Sequence, residues 1–141
     1  MNIEKFVELL WRDGAGTFEV TCEGSEWNIQ GVAFGGGYQV GVGNVALIPL
    51  SGDGVHIERE VLAERVLQAV ADFYYGSLLE PVRYFGAWIE NHSGGDATLW
   101  LDKSVHVADQ LSANIVGAVL GEKEIYDWEN DKCLPVVRAG K

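Results

Sequence analysis

At 141 residues, 48% hydrophobic and 22% charged, the chain has the material for one globular domain, and no apolar run approaches the ~18 residues of a membrane span. Its formal charge of −11, from 10 Lys+Arg against 21 Asp+Glu, repels phosphate backbones and anionic lipid, so direct nucleic-acid and membrane binding are not expected. The opening Met1-Asn2-Ile3-Glu4-Lys5 has no basic stretch followed by an apolar one, which predicts a cytoplasmic protein.

Residues 3–11 predict a short amphipathic helix, because Ile3, Phe6, Val7, Leu10 and Trp11 fall on one stripe; Asp13-Gly14-Ala15-Gly16 ends it. Four runs of strand formers follow: Thr17–Cys22, Trp27–Phe34, Tyr38–Val42 and Val45–Leu50. They predict an antiparallel meander with turns at Glu23-Gly24-Ser25, Gly35-Gly36-Gly37 and Gly43-Asn44. A second helix is predicted over about 57–75, with Val61, Leu62, Val66, Ala69, Val70 and Phe73 inward and Gly76 and Pro81 marking its exit.

In the second half, residues 83–90 and 97–102 predict a hairpin around the turn-forming run Asn91–Asp96. A third helix, about 108–120, is expected to carry Leu111, Ile115, Val119 and Leu120 inward and to close on Gly121. Two last strands, 124–128 and 133–137, flank the turn 129–132. The expected fold class is α+β: a mostly antiparallel sheet with about three helices to one side, in a single domain.

Several phrases along this pattern resemble a known group. Phe85-Gly86-Ala87-Trp88-Ile89, Leu99-Trp100-Leu101-Asp102-Lys103-Ser104, Val107-Ala108-Asp109 and Glu124-Ile125-Tyr126-Asp127-Trp128 are similar to runs in small uncharacterised accessory proteins encoded on actinobacterial phages, prophages and plasmids. The resemblance spans about residues 13–137, and Lys123-Glu124 departs from the glutamine-rich step that precedes the Ile-Tyr-Asp strand in that group. It implies a mobile-element accessory protein that modulates its host, and it carries over no catalytic or binding residue.

Chemical signatures are sparse. His56, His92 and His106 stand apart without metal-ligand spacing, and Ser51, Ser93 and Ser104 have no partnered base. Cys22 and Cys133 fit neither a zinc hairpin nor a redox pair and are expected to be reduced thiols. Gly35-Gly36-Gly37 leads into a strand and lacks a Gly-Lys-Ser/Thr ending, so it reads as a turn, not a phosphate loop. No cofactor and no metal is expected. Asp102, His106 and Asp109 are the nearest approach to an acid/base or metal cluster, yet Asp109 equally suits a helix start and Asp102 a turn.

Aromatic residues are plentiful, with five Trp, five Tyr and five Phe. Phe18, Phe34, Trp88 and Trp100 sit at period two in strands and predict core; Trp11, Trp27, Tyr74, Tyr75 and Trp128 lie nearer element ends. The acidic segment 122–131 sets Glu122, Glu124, Asp127, Glu129 and Asp131 against Lys123 alone. Such a run blunts a sheet edge or meets a basic partner. The expected function is therefore non-enzymatic: an acidic, aromatic-bearing surface that binds a host or element protein, itself basic or nucleic-acid-binding. Trp128 is its expected anchor, with Glu124, Asp127, Glu129 and Asp131 as steering charges. Three alternatives stand beside it. A DNA-mimicking inhibitor of a host defence system predicts carboxylates in one continuous stripe, a small enzyme would use Asp102, His106 and Asp109, and a structural homodimer would pair a strand edge or aromatic patch.

Overall fold

The computed structural model describes residues 1–52, 54–80 and 82–138. Within them the elements run α1 (Ile3–Asp13), β1 (Ala15–Glu23), β2 (Glu26–Gly31), β3 (Tyr38–Gly52), β4 (Val55–His56), α2 (Arg59–Ser77), β5 (Tyr84–Asn91), β6 (Ala97–Val107), α3 (Gln110–Leu120), β7 (Glu124–Asp127) and β8 (Lys132–Pro135). The strands form one antiparallel sheet in the order β2-β1-β5-β6-β3-β7-β8, with β4 paired to β3 off that path. The fold is α+β.

Local chemistry fixes the helix ends. The Asn2 side chain accepts the Lys5 amide at 2.9 Å to start α1, and Gly14, left-handed at φ 77°, returns its N–H to the Leu10 carbonyl. Phe6, Val7 and Leu10 are buried, whereas Trp11, expected on the same stripe, is 54% exposed. In α2, Leu62, Val66, Ala69, Val70 and Phe73 point inward as expected and Val61 does not. Pro81, expected to mark the exit of α2, lies outside the described residues.

The expected meander breaks after its first hairpin. Gly43-Asn44 is not a turn: β3 runs straight through it, absorbing register shifts between Gly41 and Gly43, Asn44 and Ala46, and Pro49 and Ser51. Bulges let one long strand bend while keeping its pairing with β6. Nor does Gly35-Gly36-Gly37 close a hairpin. β2 ends at Gly31, and the following segment passes beyond β1, β5 and β6 before entering β3.

β6 pairs without interruption from Ala97 to Val107, so its odd-numbered side chains share one face. Ala97, Leu99 and Leu101 meet α1 and α2 in the main core, together with Phe18, Phe85, Ile48 and Leu50. Farther along the same face, Val105 and Val107 join a second cluster of Val40, Ala113 and Ile125 under α3. All three helices therefore cover one side of the sheet.

The inward face of α3 is the reverse of the expected one. Ala113 and Gly117 are buried, while Leu111, Ile115, Val119 and Leu120 are 72%, 53%, 78% and 47% exposed. Small residues bring the helix close to the sheet; a Cβ at Gly117 would press on Val136 and Ile125. Val116 packs against this second core from the helix, but most of its bulk comes from the strands, and Leu111, Ile115, Val119 and Leu120 are left outside. Asp109 caps the helix by accepting the Ser112 amide at 2.8 Å, and Gly121 closes it at φ 76°.

Candidate functional site

The even-numbered side chains of β5 and β6 point to the side without helices. Tyr84 pairs with Ser104, Gly86 with Asp102, Trp88 with Trp100 and Glu90 with Thr98. Trp88 and Trp100, expected in the core, lie on this open face with rings 5.4 Å apart and inclined by 8°. Trp88 is 38% exposed. The Trp100 indole N–H donates to Glu90 Oε1 at 3.3 Å, and His92 Nε2 lies 3.3 Å from the same oxygen. These contacts hold two flat apolar surfaces at a fixed height above the sheet, beside a carboxylate.

One residue pair farther along, the Asp102 carboxylate lies over Gly86 in the space a side chain there would take. Burial pushes its pKa up to about 7; the negative charge of Glu122 adds to this, and a hydrogen bond from the Gly86 backbone opposes it. Glu122 occupies the neighbouring open position above Gly41, its carboxyl carbon 3.6 Å from where a Cβ would stand. Glycines at 86 and 41 thus make room on the sheet for two carboxylates.

The other end of the face is roofed by the crossing segment between β2 and β3. Phe34, expected in a core strand, belongs to this segment. It stacks on His106 at 3.8 Å and meets Tyr84 and Trp128 edge-on, each at 5.4 Å. His106 Nε2 lies 2.9 Å from the Gly36 carbonyl oxygen, so this nitrogen carries the hydrogen. Gln39 joins the layers, donating to Ser104 Oγ at 2.8 Å and accepting the Trp128 indole N–H at 3.1 Å.

The residues expected to bind a partner are all in or beside the β7–β8 hairpin, but their roles differ. Glu124, Glu129 and Asp131 are exposed. Asp127 is only 5% exposed and turns inward, accepting from Asn130 Nδ2 at 2.8 Å and from the Glu129 and Asn130 amides at 3.1 and 3.3 Å. Those donors, Asn130's side chain first, hold its pKa below the usual carboxylate value. It is a turn organiser and not a steering charge, because its oxygens are already spent on backbone N–H groups that would otherwise be unpaired. Trp128 is half-buried with both N–H groups used, the backbone one by the Gly37 carbonyl. It braces the crossing segment. Tyr126 packs edge-on to Trp128 at 4.9 Å, and its hydroxyl donates to Asp131, which pushes the phenol up to about 12.

The suggested acid/base cluster does not assemble. Asp102 and His106 share a face but stand four residues apart on one strand, ~13 Å at 3.3 Å per residue. Asp109 is committed to the α3 cap. Among the described residues no group of three or more His, Cys, Asp or Glu is placed to hold a metal. Nor do the acids among the described residues gather in one stripe: exposed Glu4, Glu8, Glu60, Glu64 and Asp72 belong to α1 and α2 on the helical side, opposite Glu90, Asp102 and Glu122.

Sequence reasoning missed the Trp88, Trp100 and Asp102 surface because the two tryptophans, with apolar neighbours in their strands, were assigned to the core. The signal was present in the alternation: Phe85, Ala87 and Ile89 oppose Gly86, Trp88 and Glu90, and Leu99 and Leu101 oppose Trp100 and Asp102. No helix among the described residues is long and apolar enough to cross a membrane. No family model matches this chain, and neither a curated protein nor a solved structure with significant similarity is found.

Proposed function

We propose that this chain is a non-enzymatic interaction protein whose open sheet face receives a basic segment of a protein partner. The observation that carries this reading is the stacked Trp88–Trp100 pair, flanked by Glu90 and Asp102, on the side of the sheet opposite the helices. A cation seated over an indole face gains from the ring's negative centre, and the Glu90 carboxylate beside it supplies the counter-charge, to which Asp102 adds as it ionises near pH 7. Glu124, Glu129 and Asp131 at the β7–β8 hairpin, toward the other end of the sheet, steer approach from a distance, while Trp88 and Trp100 replace Trp128 as anchors. In the setting the sequence resemblance supplies, the partner is a cytoplasmic host or mobile-element protein.

The test is affinity capture of the tagged full chain from a lysate of its native host, run beside Trp88→Ala and Asp102→Asn at low and raised salt. A basic protein held by the wild type, released at raised salt and absent from both variants supports the reading. Identical bound proteins on wild type and variants would remove the open face from consideration.

A further inference from the structure

We propose that the outer face of α3 is a self-association surface on which a second copy of this chain pairs in antiparallel fashion about a two-fold axis near Ile115. Leu111, Ile115 and Val119 recur at every fourth position and form one stripe on a helix exposed along its whole outer side, at 72%, 53% and 78%. Val137, 70% exposed, lies beside it, fixed by two 2.7 Å hydrogen bonds between its backbone and the Asn114 side chain. The stripe is held rigid before any partner arrives.

Charge argues that the occupant is another copy. Residues 110–120 contain no charged side chain, in a molecule of net charge −11. Two such molecules repel over most of their surfaces and can approach closely where neither carries charge. A basic partner, by contrast, finds nothing on α3 to pair with.

The ends of the helix select the direction. Asp109 sits at the N-terminal end. At the C-terminal end Arg138 donates to the Ala118 and Glu122 carbonyl oxygens at 3.0 and 2.8 Å, and Lys123 is exposed between Glu124 and Glu122, whose carboxylate is turned away over Gly41. Antiparallel pairing brings Asp109 of each copy beside Arg138 and Lys123 of the other; parallel pairing opposes Asp109 to Asp109. With Ile115 at the centre of the 11-residue helix, residue 115 meets its own copy and residue 111 meets residue 119.

The experiment is sedimentation equilibrium of the full chain, wild type against Ile115→Lys, with circular dichroism to show that both are folded. The wild type is expected at twice the monomer mass, with association strengthened by salt because repulsion between the copies is screened. Ile115→Lys is expected to be a folded monomer. Direction is read by oxidative cross-linking in a Cys22→Ser, Cys133→Ser background: Ile115→Cys links to itself, and Leu111→Cys links to Val119→Cys but not to itself. A wild-type monomer at concentrations up to about 1 mM overturns the proposal, as does a dimer that survives Ile115→Lys, or self-linking of Leu111→Cys. The salt response runs opposite to that of the open face, so the two readings fail separately.

Discussion

Gly86 and Asp102 stand opposite each other on β5 and β6, and the carboxylate of the second fills the volume that any side chain on the first would need. Gly86→Ala is therefore expected to destabilise the protein by roughly 1–3 kcal/mol, the usual cost of overpacking. Asp102→Ala should remove most of that penalty, giving strong coupling in a double-mutant cycle read by urea denaturation. Purely additive costs would show that the two residues do not compete for the same space.

The same carboxyl makes stability depend on pH. Asp102 titrates at about 7 in the folded protein and near 3.8 when unperturbed, so between those values the folded chain holds a proton that the unfolded chain has lost. The resulting stability is complete below pH 3.8 and is lost as the pH rises through about 7. Asp109 and Asp127, whose values are lowered by hydrogen bonds, act in the other direction and lose their contribution in acid. Asp102→Asn isolates the first effect. Its stability relative to wild type should climb between pH 4 and 7 and level off above, and a flat difference would mean that the group titrates as an exposed carboxyl.

Two aromatics on opposite faces of β5 should differ in what they contribute to stability. Phe85 is fully buried among Phe6 and Phe73, so Phe85→Ala is expected to cost about 3–5 kcal/mol. Trp88→Ala, on the open face, should cost only about 1 kcal/mol, chiefly the loss of stacking on Trp100. Thermal unfolding compares the two, and similar losses would contradict the assigned faces.

At the β7–β8 turn, Asp127→Ala should lower Tm by several degrees by orphaning the Glu129 and Asn130 amides, whereas Glu129→Gln should leave Tm unchanged. Partner capture should show the reverse weighting, with Glu129→Gln affecting salt-sensitive association and Asp127→Ala acting only through the fold. Equal thermal effects would return Asp127 to the surface.

Elements specified by neighbouring residues were legible in the sequence: the first hairpin, α1 with its end at Gly14, and the inward stripe of α2 apart from Val61. The sheet order was not, because pairing of β3 with β6 joins Tyr38 to Val107 and depends on contacts no local pattern reports. Gly43-Asn44 carries the residue types of a turn, and only that distant pairing makes it a bulge. α3 failed for a different reason. Its eleven residues are uncharged and mostly apolar, so periodicity could not decide between a face of large side chains and one of small ones, and close approach at Gly117 decided it. At the site, the acids and aromatics of residues 124–131 were identifiable as a group, while the inward turn of Asp127 followed from its backbone partners.

The two buried clusters lie under different helices along a shared face, and β3 and β6 are the strands that contribute side chains to both. Among the described residues, Ala113, Val40 and Ile125 make a much smaller nucleus than the seventeen buried residues of the main core. The α3–β7–β8 end therefore has the means to open as a subglobal unit while the rest of the chain stays folded. Backbone amides of residues 125–127 would then exchange with solvent through this partial unfolding, and those of Phe85 and Leu101 only through complete unfolding.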